Sequence, residues 1–189
     1  MIDDFHLAQA SIPDQSAGFD WFKRDRVTYV SIGKFDLPAS REFSERKQKV
    51  QRAVAAIGRF GDLIDVDIRG PDIEDDDLVV LRSLKDVQFL SLAYSHITNA
   101  GLEHLTGLRQ LTSLDLSNTK VDDKGLAIVA GFSDLETLTL DFTHVTDAGL
   151  INLRSLKKLK SLSLVGTGTS DDAISRLHEA IPGITIVDD

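Results

Sequence analysis

The stretch Leu111-Thr112-Ser113-Leu114-Asp115-Leu116-Ser117-Asn118-Thr119 sets apolar side chains at 114 and 116 between polar neighbours. Alternation with period 2 marks a short strand buried on one side. The same pattern returns every 24 residues: Val66, Leu90, Leu114, Leu138 and Leu162 form one column, and Ile68, Leu92, Leu116, Leu140 and Leu164 the next. Leu63, Val87, Leu111, Leu135 and Leu159 keep step ahead of them. Between strands the period changes. In Gly101-Leu102-Glu103-His104-Leu105-Thr106-Gly107-Leu108 the apolar spacing is three, which predicts about two turns of α- or 3₁₀-helix facing the core. The columns Leu78, Leu102, Leu126, Leu150, Ile174 and Leu81, Leu105, Val129, Leu153, Leu177 repeat that reading. Thr98, Asp122, Thr146 and Ser170 stand as N-caps, followed by Asn99, Asp123, Asp147 and Asp171 at the positive end of each helix. Gly107 and Gly131 are expected to close helices in the left-handed conformation.

One strand and one short helix cannot bury their apolar faces alone, so each unit must stack on the next. The pattern LxxLxLxxT resembles that of bacterial leucine-rich-repeat proteins, with Ser95, Thr119, Thr143 and Thr167 where Asn or Cys usually stands. The segments Ile97-Thr98-Asn99-Ala100-Gly101-Leu102 and Val145-Thr146-Asp147-Ala148-Gly149-Leu150 are similar to repeats of F-box adaptor proteins, although the chain has no cysteine and no recognisable F-box. The resemblance implies an α/β fold: a right-handed leucine-rich-repeat solenoid, or horseshoe arc, with a parallel concave sheet, short convex helices and an N-terminal strand-helix cap. Residues 1–20 read as a flexible lead, 21–60 as the cap, and 61–189 as about five repeats with a closing strand.

In the cap, Val27-Thr28-Tyr29-Val30-Ser31-Ile32 is β-rich, and residues 41–58 set Phe43, Val50, Val54 and Ile57 on one helical stripe. At the far end, Ile181-Pro182-Gly183-Ile184-Thr185-Ile186-Val187 reads as a last strand with about one inserted residue. Its edge, followed by Asp188 and Asp189, is open to pairing and leaves the oligomeric state undecided.

Composition narrows the function classes. The 189 residues carry a formal charge of -9, with 42% apolar side chains and no cysteine. That excludes a disulfide framework, a thiol nucleophile and thiolate metal sites. No apolar run approaches the roughly 18 residues of a membrane span, and the first residues do not read as a secretion signal, so a cytoplasmic setting is expected. A sequence pI near 4.9 argues against nucleic-acid binding, since phosphate attraction needs a basic face. Residues 21–60 are locally basic, but Glu42 with Arg46 and Glu45 with Lys49 are i,i+4 pairs, which favours a solvated helix face.

The residues alternating with the buried leucines define the candidate surface. Its columns are Asp65, Phe89, Ser113, Thr137, Ser161; then Asp67, Ser91, Asp115, Thr139, Ser163; then Arg69, Ala93, Ser117, Asp141, Val165. Gly70, Tyr94, Asn118, Phe142 and Gly166 run beside them, followed by Asp72, His96, Lys120, His144 and Gly168. Phe89, Tyr94 and Phe142 are large aromatics where the repeat asks for none, and such residues serve as interface anchors. The partner-binding set is therefore Asp67, Arg69, Phe89, Ser91, Tyr94, His96, Asp115, Asn118, Asp141, Phe142 and His144, presented to a protein partner. An acidic, inhibitor-like variant resembles the ribonuclease-inhibitor class and predicts a basic partner. A hydrolase or metal-assisted site at Asp115, Asp141 and His144 is the enzyme alternative; it is outweighed by a solvated acidic strip, so the chain is read as non-catalytic. Gly166-Thr167-Gly168-Thr169-Ser170 imitates a dinucleotide turn, but Asp171 replaces the third glycine and the second half of such a unit is missing. No catalytic residue, metal or cofactor is assigned.

Overall fold

The computed structural model describes residues 19–20, 29–32, 48, 51–52, 54–58, 60 and 62–189. Among them an eight-stranded sheet runs in sequence order. Its strands are β1 (Phe19–Asp20), β2 (Tyr29–Ile32), β3 (Asp65–Ile68), β4 (Phe89–Ser91), β5 (Ser113–Asp115), β6 (Thr137–Thr139), β7 (Ser161–Ser163) and β8 (Thr185–Val187). The first pair, β1 with β2, is antiparallel; from β2 to β8 every pairing is parallel. Partner residues from β3 to β8 stand 24 apart, as with Leu90, Leu114 and Leu138. The flexible lead expected over 1–20 lies outside the described residues except for its last two, which form β1.

Each strand from β3 to β7 is followed by a short helical return: a 3₁₀ segment (Asp75–Ser83), then α1 (Asn99–Leu102) running into 3₁₀ turns (Glu103–Leu105), α2 (Asp123–Val129), α3 (Asp147–Leu153) and α4 (Asp171–Ala180). The leucine columns of both elements meet in one continuous core: Leu114, Leu116, Leu126, Leu138, Leu140 and Leu153 are completely buried. Full burial of each such side chain stabilises by about 1.5–3 kcal/mol. Val30 and Ile32 on β2, with Val54 and Ile57 from the helical stretch 54–57, join that core, so this strand and helix cover the first repeat. The two other stripe residues, Phe43 and Val50, fall outside the described residues.

Two expectations are corrected. Strand β8 keeps the 24-residue step without an insertion, since Thr185, Ile186 and Val187 lie opposite Ser161, Leu162 and Ser163. Gly183 occupies the leucine column at φ +88°, and Ile184 one place later is buried instead. Gly107 and Gly131 are not left-handed either. The helices end in tight right-handed turns, with the N–H of Leu108 donating to Leu105 (2.9 Å) and that of Phe132 to Val129 (3.0 Å).

Two polar ladders run along the stack. In the first, the hydroxyls of Ser95, Thr119, Thr143 and Thr167 donate to the carbonyls of Leu92, Leu116, Leu140 and Leu164 at 2.6–2.7 Å. Each bond closes a turn within its own repeat and pairs a hydroxyl that would otherwise be an unsatisfied donor inside the molecule. In the second, the first residue of each helix receives the N-cap of the following repeat. Asp75 accepts from the backbone N–H and hydroxyl of Thr98 (2.8 and 2.6 Å), Asp123 likewise from Thr146 (2.8 and 2.7 Å), and Asp147 from Ser170 (2.7 and 2.8 Å). At the rung where the N-cap is Asp122 the partner is Asn99, whose Nδ2 donates to the carboxylate (2.7 Å) while its Oδ1 accepts from the Asp122 N–H (3.2 Å). Asparagine thus avoids two opposed carboxylates. Gly101, Gly125 and Gly149 let the helices approach these rungs; a Cβ at Gly125 would fall 2.5 Å from Asn99 Oδ1.

The Asn99 side chain, with the Lys124 N–H, holds the Asp122 carboxyl below its ordinary range, and the Ser170 hydroxyl and N–H do the same for Asp147. A folded-state pKa below the unfolded value contributes stability above about pH 4 and loses it as pH falls further. Asn99→Asp should destabilise the chain by about 1–2 kcal/mol at pH 7, where two charges would face each other, and by much less near pH 3. Urea denaturation at both pH values checks this, and an equal loss at each would refute the ladder.

Candidate functional site

On the sheet face opposite the buried columns, three carboxylates tie neighbouring strands together. Asp67, only 8% exposed, accepts from Ser31 on β2 (3.2 Å) and from Arg69 Nε and Nη2, both at 2.6 Å. The hydrogen bond to Asp67 raises the Arg69 pKa further, leaving a locked but exposed guanidinium. Asp115 accepts from Ser91 on β4 (3.3 Å) and from the N–H and hydroxyl of Ser117 (2.9 and 2.6 Å). Asp141 accepts from the Ser163 hydroxyl (2.5 Å) and the Val165 N–H (3.0 Å) of the next repeat. All three were expected to meet a partner; Asp67 and Asp115 use both carboxylate oxygens to brace the sheet, and Asp141 uses Oδ1.

Asp65 differs. It lies one row from Asp67 on β3, between Tyr29 on β2 and Phe89 on β4. Among the described residues its carboxylate has no hydrogen-bond or ion-pair partner, and burial, with the neighbouring Asp67 charge, pushes its pKa up. Phe89, 45% exposed, stands beside it.

The third column divides: Arg69 is exposed and Asp141 half-buried, whereas two of its members turn inward. Ala93 and Ser117 are buried, at 2% and 8% exposure, because the chain is already leaving the sheet there. The residue that follows turns the corner. Gly70, Tyr94, Asn118, Phe142 and Gly166 all have positive φ, at 125°, 60°, 54°, 55° and 67°. The N–H groups of Gly70, Tyr94, Asn118 and Phe142 reach forward to the next repeat, as Tyr94 to the Ser117 carbonyl (2.8 Å), while two residues later the His96 N–H reaches back to Ile73 (2.9 Å). The left-handed conformation makes that switch.

Glycine and asparagine adopt this conformation readily, whereas an aromatic residue pays roughly 1–2 kcal/mol for it. Tyr94 and Phe142 recover little of that by burial, since they are 60% and 58% exposed. The Phe142 ring lies over Gly166, where a Cβ would sit 2.5 Å from its Cδ1. His96, Lys120 and His144 are exposed in the column immediately beyond. The predicted residues therefore divide in two. Tyr94, His96, Asn118, Phe142 and His144 form an edge row at the corner, and Phe89 stands apart from it with Asp65 on the sheet. Composition missed the corner; the recurrence of Gly70, Asn118 and Gly166 in one column was its signal.

Of the residues named for the enzyme alternative, Asp115 accepts through both carboxylate oxygens and Asp141 through Oδ1 alone, while His144 belongs to the edge row. Among the described residues no group of three or more His, Asp or Glu side chains is arranged to hold a metal ion, and no helix is long and apolar enough to cross a membrane.

Internalin C2 from Listeria monocytogenes is structurally similar, with a TM-score of 0.62 at 18% identity over 85% of this chain and 70% of that one. A leucine-rich-repeat protein from Leptospira interrogans aligns over 70% of this chain and 38% of its own, with a TM-score of 0.49 and 19% identity. No family model and no curated protein matches the sequence. The fold is that of a leucine-rich-repeat solenoid.

If the corner carries strain at Tyr94, Tyr94→Asn should leave stability unchanged or raise it by up to about 1 kcal/mol. A loss of more than about 1 kcal/mol in urea unfolding would show that the ring supports the fold.

Proposed function

We propose that this leucine-rich-repeat solenoid is a non-catalytic protein-binding module whose docking surface combines the sheet face with the aromatic edge row. The observation that carries the proposal is the placement of Tyr94 and Phe142 at left-handed corner positions with more than half of each side chain in solvent. Backbone strain at a non-glycine residue whose side chain gains little burial points to a role for that side chain in binding. Large rings at a rigid rim bury wide areas with little loss of conformational freedom, which suits interface anchors. Asn118 between them and His96, Lys120 and His144 beyond supply the polar surround, while Arg69, Phe89 and Ser91 extend the surface over the sheet. Asp67, Asp115 and Asp141 contribute through the field of their charges, their hydrogen bonds being used internally.

A second reading narrows the partner to a basic protein. Residues 61–189 hold twenty-two acidic against eleven basic side chains, a balance that steers a cationic surface toward the repeats. Its association rate would then fall steeply between low and physiological salt. The absence of cysteine from the sequence accords with a reducing, cytoplasmic setting for such a module.

Affinity capture from the native cell extract with the intact chain and with the Tyr94→Asn, Phe142→Asn double variant tests the proposal. Since both substitutions suit the corner backbone, the variant is expected to fold and to bind its partner at least tenfold more weakly. Equal capture by both proteins would remove the edge row from the interface.

A further inference from the structure

We propose that Tyr29, Asp65 and Phe89 form a cation-binding slot on the sheet face, which receives an arginine side chain of the protein partner. The inference deepens the protein-binding reading by naming the chemical group recognised, and it rests on that reading for the source of the arginine.

The register places the three residues directly opposite one another on β2, β3 and β4, while Val30, Val66 and Leu90, one position on, face the core. A carboxylate thus stands between two aromatic side chains on the same surface. Tyr29 and Phe89 are separated by two strand spacings, about 9.5 Å at the backbone. A planar cation held at van der Waals distance from a ring on each side needs roughly 7–8 Å. A guanidinium entering between these strands lies beside an aromatic residue on either side and the Asp65 carboxylate between them, a combination suited to cation-π and charge-assisted hydrogen-bonding contacts.

The surroundings explain why Asp65 is left for this role. Asp67, the next acid on the strand, is saturated by Arg69 and Ser31. Because both Asp67 oxygens hold Arg69, the molecule's own guanidinium is kept from Asp65. Ser113, Thr137 and Ser161 continue the same column across the sheet and carry no charge. A half-buried carboxylate without a partner destabilises the folded chain at neutral pH, and its raised pKa expresses that cost. A bound cation reverses it. The excess of acidic over basic side chains in residues 61–189 adds long-range attraction for a partner that presents arginine.

The test is an amide chemical-shift titration of the intact chain with N-acetyl-arginine methylamide, with the citrulline analogue as its uncharged isostere. Saturable shifts centred on residues 29–31, 65–67 and 89–91 are expected in the millimolar range with the arginine probe and not with citrulline. Asp65→Asn and Phe89→Ser should each weaken binding at least fivefold, whereas Asp76→Asn, an equal charge change on the exposed 3₁₀ segment, should not. Asp65→Asn should also raise the melting temperature at pH 7, which separates loss of the slot from loss of the fold. The double variant of Tyr94 and Phe142 should titrate as the parent does, so failure of the edge row and failure of the slot are read independently. Shifts of equal size with citrulline, or arginine shifts that persist in Asp65→Asn, would overturn the inference.

Discussion

A unit of 24 residues has too few side chains to enclose its own leucines, so every repeat is stable only against its neighbours. That constraint demands a single register from β3 to β8, because a slip of one residue would exchange the buried and exposed faces of a strand. The backbone ladder alone does not forbid such a slip. The hydroxyls turned back on their own carbonyls fix the turn within each repeat, while register is reinforced by the ladder of helix-start residues grasping the next N-cap. The exchange of roles at Asn99 and Asp122 shows how specific the second ladder is, since the donor sits where two acceptors would otherwise collide.

The same constraint creates the corner at which the proposed docking surface lies. A chain that must leave the sheet at the same point in each repeat needs a residue that reverses its hydrogen bonding from the next unit to the previous one. The left-handed corner does this, and glycine or asparagine serves at Gly70, Asn118 and Gly166. Tyr94 and Phe142 satisfy the geometry at a cost and leave their rings in solvent. On the sheet face, by contrast, the prominent acids brace the strands, and the less conspicuous Asp65 has no hydrogen-bond or ion-pair partner among the described residues. Burial and hydrogen-bond accounting, rather than residue type, separate braces from binding groups.

The leucine columns made the strands, the returning helices and their stacking legible from sequence because burial imposes one period on each element. The N-cap positions were legible for the same reason: Thr98, Asp122, Thr146 and Ser170 stand at a fixed offset from the leucines. What the pattern did not reveal depends on partners 22 to 24 residues away. Asp115 and Asp141 looked like solvated acids because their donors, Ser91 and Ser163, belong to other repeats. The register of β8 was obscured because Pro182 and Gly183 displace the apolar residue by one place while the backbone pairing continues. The glycines at 107 and 131 suggested left-handed caps, but the helices are short enough to close through tight right-handed turns. The corner conformation was hidden by its own exceptions, two aromatics in a column otherwise made of glycine and asparagine.

The account stands or falls on the backbone at that column. In a labelled sample of the intact chain, the strength of the intraresidue amide-to-Hα nuclear Overhauser effect reports whether φ is positive. The account predicts a strong intraresidue effect at Tyr94, Asn118 and Phe142 alike, matching left-handed residues and unlike their strand neighbours. Weak effects at Tyr94 and Phe142, as for extended backbone, would contradict it, because the aromatics would then bear no strain for an interface to explain.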